Sequence, residues 1–205
     1  MRKVSFLKIL SALLLIAGCA YVFLSQYGGH CIRAVPEGFD GRSGDVLLLG
    51  SSSLRGRLLK ILDRESNYVH TGILERDGDE VLVVHADPQR DEILREPLST
   101  YLRLNDAERM AVLRIKSNEL QREKAVAYAL TRWREKRPFD NSFSYCEGDG
   151  FYCTELVLRA WSGAGVDLLP GVEKGDRILP SELLDSDRIE SITEYMGIPK
   201  DSTSE

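Results

Sequence analysis

Histidine and cysteine are scarce in this 205-residue chain, which has three of the first and four of the second. No two cysteines stand in a CxxC spacing, so a zinc-ribbon type of site is excluded. Sequence repeats and low-complexity tracts are missing too, which removes solenoids and disordered scaffolds. Positive charge is scarce: three basic residues, Arg2, Lys3 and Lys8, sit in the first eight positions. The 27 basic residues less these three leave 24 against 32 acidic ones, a net charge of −8. Such a surface favours neither nucleic acid nor anionic lipid, and no nucleic-acid partner is expected. What remains, at 43% hydrophobic and 29% charged, is an ordinary globular composition long enough for one domain with a core.

One long hydrophobic run breaks that picture. After the basic start, Ile9 to Leu24 is apolar except for Ser11 and Gly18. This is an export or anchoring signal. Within it, Ile16-Ala17-Gly18-Cys19 has the pattern of a bacterial lipoprotein signal, in which Cys19 is lipidated and becomes the new N-terminus. The rival reading is an uncleaved transmembrane helix, for which the 16-residue run is short of the roughly 20 residues a span needs. Either way the domain is expected in the cell envelope, held at the membrane by its N-terminus and lying outside the cytoplasmic membrane. Residues 1–24 are then signal or anchor, 25–43 a tether rich in Gly, Ser and Arg, 44–198 the domain and 199–205 a disordered tail.

An envelope location permits disulfides. Lipid on Cys19 and a Cys31–Cys146 bridge would leave Cys153 as a lone thiol, and a set of unpaired thiols fits the sequence equally well.

Along the domain, "GDVLLLG" (44–50) is an apolar run between glycines and reads as a buried strand. "SSSLRGRLLKILDRES" (51–66) has leucines at helical spacing. "NYVHTGILERDGDEVLVVHADP" (67–88) reads as a hairpin turning at Asp77-Gly78-Asp79, with one histidine on each arm. Strands follow at 92–98 and 108–115. Asn118 with Gln121 three residues on predicts a capped helix from Glu119 to Arg137, stopped by Pro138. A loop over 138–150 leads to a helix that starts near Cys153 and ends at Gly163 or Gly165. A short capped helix in "ILPSELLDS" (178–186) and a last strand in "IESITEY" (189–195) complete an α+β order rather than an alternating βαβ one.

The residues with chemical potential are few. His30 lies in the tether and reads as solvated. His70 and His85 lie on paired arms of one hairpin. Cys153 opens a helix, where unpaired backbone N–H groups favour a thiolate, and His70 can take its proton while His85 orients the imidazole. N–H groups at the same helix end can hold an oxyanion. Pattern alone leaves other readings open. Cys153 can equally be a buried core thiol beside Leu156, Val157 and Ala160, or a zinc ligand with His70 and His85. Glu155 is explained by the helix dipole, Thr154 and Tyr68 by packing, and Arg55 and Arg57 by a solvated face.

In order, "GDVLLLG", "YVHTGIL", "VLVVHADP", "DGFYCTELVLRAW" and "ILPSEL" resemble the YiiX/YebB-like cysteine hydrolases, the circularly permuted branch of the papain-like NlpC superfamily. The resemblance covers about residues 44–186. It implies an α+β papain-like fold, an antiparallel sheet packed against helices, with the histidine strand ahead of the cysteine helix. Cys153 then matches the nucleophile and His70 the general base, with no metal or cofactor. That branch usually has a glutamate before an alanine as the third polar residue; here it is His85, which is similar to the lecithin retinol acyltransferase-like proteins. The implied chemistry is hydrolysis of an amide, of the cell-wall peptide kind, through a cysteine thioester. A lipid-related acyltransferase or thioesterase, and a non-catalytic envelope-binding module, are the alternatives on the same fold.

Overall fold

The computed structural model describes residues 31–51, 67–146 and 148–197. The expected anchor, Cys19, His30, the 51–66 segment past Ser51 with Arg55 and Arg57, and the tail from 198 on lie outside the described residues. Six antiparallel strands form one sheet in the order β4-β3-β2-β1-β5-β6. They are β1 (Val46–Ser51), β2 (His70–Asp77), β3 (Glu80–Asp87), β4 (Glu92–Pro97), β5 (Ala107–Ile115) and β6 (Ile189–Met196). Among the described residues three helices accompany it, α1 (Leu98–Leu104), α2 (Glu119–Arg134) and α3 (Cys153–Gly163), with a 3-10 turn at Pro180–Asp185.

Both faces of the sheet are covered, and the alternation of β1 shows how. Val46 and Leu48 point to a cluster that α2 and α3 share with Ile73, Val84 and Ala111. Leu47 and Leu49 point to the other face, with Leu74, Val83, Met110 and Tyr101 of α1. A strand apolar on both faces is a strand buried on both faces. Each such leucine, removed from water, contributes about 1.5–3 kcal/mol.

The hairpin turns where the sequence predicts it, with Gly78 at a positive φ of 60° between β2 and β3. Asn118 caps α2 and exchanges bonds with Gln121, as the spacing requires. At the domain's start, the buried Asp45 carboxylate accepts from the Arg42 N–H and from Arg114. Residues 31–43 carry no helix or strand but lie along the sheet: Ile32 is buried and its N–H donates to the Ala107 carbonyl. This stretch of the expected tether is docked.

Helix α1 is a finding the sequence reading did not contain. Leu98, Tyr101 and Leu102, at helical spacing, are its buried residues. The expected Cys31–Cys146 disulfide is corrected. No such bond is present: the backbone next to Cys31 is held at the start of β5 through the Ile32 N–H and the Ala107 carbonyl, whereas that of Cys146 is held on α3 by Glu155 and Arg159.

Candidate active site

The N-terminal end of α3 and the first residue of β2 meet at one end of the sheet. Cys153 and His70 line the same cavity of about 170 Å³, together with Leu49, Val69, Phe139 and Phe143 and the polar Ser51, Asp87 and Asp106.

The cysteine is delivered by a closed loop. The Phe151 N–H donates to the Pro138 carbonyl and the Asp140 N–H to the Phe151 carbonyl, so 139 and 151 pair as a parallel bridge. This presents Phe139 and Phe143 to the cavity just ahead of Cys153. Tyr152 holds the extended cap position without a side-chain cap bond, which leaves first-turn N–H groups to the thiol. Helix α3 is buried almost all round, from Cys153 to Trp161.

Burial pushes the Cys153 thiol above its usual range; the Thr154 hydroxyl and the N–H groups of Thr71, Thr154 and Cys153 pull the other way. Burial is the larger effect, so the helix start moderates the thiol without making it a resting thiolate. The Thr71 contact also ties the sulfur to the residue after His70.

The histidines are assembled by strand register. In the β2–β3 pairing Ile73 lies opposite Val84, so Gly72 stands opposite His85 and His70, two residues back, shares its face. Diagonal neighbours on a sheet are about 7–8 Å apart at Cα, within reach of two rings that lean toward each other. Gly72 permits the lean. A Cβ there would lie 2.7 Å from Val83 Cγ1 and 3.1 Å from His85 Cβ. With no side chain in the way, His70 Nε2 and His85 Nδ1 come to 3.0 Å. The same geometry repeats one strand on, because His85 is opposite Leu94 on β4. Glu96, again two residues away, puts Oε1 3.1 Å from His85 Nε2. Three side chains on three strands thus form one line, His70–His85–Glu96.

Tyr101 of α1 roofs that line. Its ring stacks on His70 at 5.6 Å and meets His85 edge-on at 4.7 Å. Its hydroxyl is buried and finds no hydrogen-bond partner among the described residues. Burial, with the Cys153 thiol in its ionised form and the carboxylates of Glu96 and Asp87 adding, holds its pKa well above the usual phenol.

Of the residues singled out from sequence, Cys153, His70 and His85 converge here. Glu155 does not join them. It is fully buried, paired with Arg159 Nε at 2.8 Å and accepting from the Cys146 N–H, so it ties α3 to the preceding loop. Tyr68 packs in the core and donates to Glu194 at 2.6 Å. Glu96 and Tyr101 were missed. The alternation of "EILREP" puts Leu94 and Glu96 on one face, but the β3–β4 register is what sets that face beside His85.

A family model for the permuted papain-like amidases, the YaeF/YiiX or C92 family, matches residues 41–190. The chain belongs to this family. It is therefore a cysteine hydrolase of the amidase class, and the order seen here, histidine strand before cysteine helix, is the permuted one. A crystal structure of the metalloprotein YiiX from Escherichia coli O157:H7 aligns with a TM-score of 0.62, over 78% of this chain and 99% of that one, at 18% identity. At that identity the likeness shows the fold alone. No curated protein matches the chain. The metal in the description of YiiX belongs to that protein. Among the described residues here, no group of three or more His, Cys, Asp or Glu is placed to hold an ion. His70 Nε2 and His85 Nδ1 are also directed at one another, so a zinc ion shared by these histidines and Cys153 does not fit.

Proposed function

We propose that Cys153 is the nucleophile, His70 the general base and His85 its orienting partner in an amidase that cleaves a peptide-type bond, of the cell-wall kind, at the envelope. The observation that carries this is the engagement of His70 Nε2 by His85 at 3.0 Å. His70 and Cys153 line one cavity, and with Nε2 engaged by His85 the ring nitrogen left to act as base is Nδ1.

The thiol proton passes to His70 Nδ1 as Sγ attacks the carbonyl carbon. N–H groups at the start of α3 hold the oxyanion. Collapse breaks the C–N bond, and His70 returns its proton to the departing amine, leaving a thioester. His70 then takes a proton from water as the water oxygen adds to the thioester carbon. The acid leaves and the proton returns to sulfur. A thiol kept neutral by burial suits this sequence, since the base acts when substrate is present.

The aromatic and aliphatic wall of Leu49, Val69, Phe139 and Phe143 suits the apolar side chains of a short peptide. The N-terminal segment would hold the domain at the membrane that faces such a substrate.

Purified full-length protein incubated with peptidoglycan stem peptides is expected to release one new amine and one new carboxylate, read by mass spectrometry. Cys153→Ala should release neither. Cleavage that persists in Cys153→Ala, or transfer of an acyl chain from a lipid with no peptide cleavage, overturns the proposal.

A further inference from the structure

Resting on that reading of the site, we propose that Glu96 is a positioning residue that fixes the tautomers of both histidines and so leaves Nδ1 as the basic nitrogen of His70. A neutral imidazole carries one N–H and one lone pair. Two of them in contact through Nε2 and Nδ1 admit two opposite arrangements. In one, His70 donates from Nε2 and its Nδ1 is bare. In the other, His85 donates from Nδ1 and His70 carries its proton on Nδ1, where it cannot accept one from sulfur. The pair alone does not choose.

Glu96 chooses. An ionised carboxylate only accepts, and its Oε1 lies 3.1 Å from His85 Nε2. The proton of His85 is therefore on Nε2, its Nδ1 is the acceptor, and His70 Nε2 is the donor. The basic nitrogen of His70, which lines the cavity with Cys153, is then Nδ1. His85 is 1% exposed and Glu96 13%, so water competes weakly for either contact. The opposite tautomer would press a lone pair against a carboxylate in a dry place, where unmatched polar groups cost most. When His70 accepts the thiol proton it donates from both nitrogens, and His85 still accepts. No proton need leave His85 or reach Glu96 during turnover. Arg95, the next residue along β4, does not divert the carboxylate, since its guanidinium binds Glu75 and Asp77 instead.

The test uses full-length protein labelled with ¹⁵N-histidine and two-bond nitrogen–proton correlation at neutral pH. Both His70 and His85 are expected as Nε2–H tautomers in the wild type; an Nδ1–H tautomer at His70 overturns the proposal without any variant. Glu96→Gln supplies an amide that can donate as well as accept, so mixed tautomers are expected. Acylation of Cys153 by p-nitrophenyl acetate should fall at least about tenfold. Glu96→Asp should recover part of both, whereas a merely structural role would lower the folded fraction and leave the tautomers unmoved. If wild-type Cys153 is inert to the ester, the reading of the site fails. If it reacts and Glu96→Gln matches it in tautomers and rate, only the role of Glu96 fails.

Discussion

Cys153 owes its place to the start of a helix, and His70 and His85 owe theirs to the register of a sheet. Helix α3 belongs to the cluster on one face, while Tyr101, in contact with both histidines, belongs to the cluster on the other. The cysteine half is set by neighbours close in sequence: the loop closed at 139 and 151, the cap at Tyr152 and the Glu155–Arg159 pair. The histidine half depends on residues on three strands being in step. A helix start tolerates small changes along its own length, but a one-residue slip of β3 would break both contacts in the histidine line.

The largest expected effect separates the two halves chemically. His70→Ala should slow acylation of Cys153 at neutral pH by about 10²- to 10⁴-fold, the usual range for losing a positioned base. The thiol itself is held above its ordinary value by burial. An acid with a raised pKa yields its anion only at more alkaline pH, so reactivity in His70→Ala should climb steeply as pH rises above the ordinary thiol value of about 8.5. Stopped-flow measurement with p-nitrophenyl acetate across pH 6–10 checks this. A fast, pH-independent thiol in the variant would mean that the helix start alone activates the cysteine.

Next in size is a comparison of two glycines. Gly72→Ala introduces a Cβ within 2.7 Å of Val83 Cγ1, between two strands that cannot easily part. It should cost about 1–3 kcal/mol as overpacking and, by moving His85, lower activity beyond what the loss of folded protein explains. Gly163→Ala, in the last turn of α3, meets only Tyr128 at an ordinary 3.5 Å. Here alanine should stabilise by up to about 1 kcal/mol and leave activity unchanged. Urea unfolding beside the acylation rate distinguishes the two, and equal behaviour of both variants would remove the distinction drawn between the halves.

The same contrast explains what could be read from the sequence. The glycine-bounded run of β1, the hairpin turn at Gly78, the Asn118–Gln121 cap and the helix beginning at Cys153 are local signals, and each falls where it was read. His70 and His85 were legible as a pair because one tight hairpin joins them. Glu96 was not, since its place beside His85 depends on the β3–β4 register across a turn where Asp91 adopts a positive φ of 56°. Helix α1 had a signal in the spacing of Leu98, Tyr101 and Leu102, but only seven residues and no side-chain cap, and Leu98 was read as the end of the strand. The Cys31–Cys146 pairing is illegible for the same reason as Glu96: which element a distant segment docks on is not written locally.

Tyr101 sharpens the comparison most finely, because it touches both histidines while its hydroxyl remains without a partner among the described residues. If the ring alone matters, Tyr101→Phe keeps the roof and removes an unsatisfied buried group that costs about 1–3 kcal/mol. Thermal stability at pH 7 should then hold or rise, by about 2–4 °C for each kcal/mol gained. The pH dependence follows from the raised pKa. In the unfolded chain this phenol ionises near pH 10, but in the native site burial keeps it neutral. The unfolded state therefore gains free energy from ionisation that the native state does not, and stability falls as pH rises through about 10. Tyr68 and Tyr152 are raised by burial in the same sense, so the variant should reduce the alkaline loss of Tm between pH 8 and 11 without abolishing it. A loss as steep as the wild type's would show that Tyr101 ionises as freely in the fold as outside it. Slower acylation of Cys153 in an intact Tyr101→Phe would instead assign its hydroxyl to the reaction.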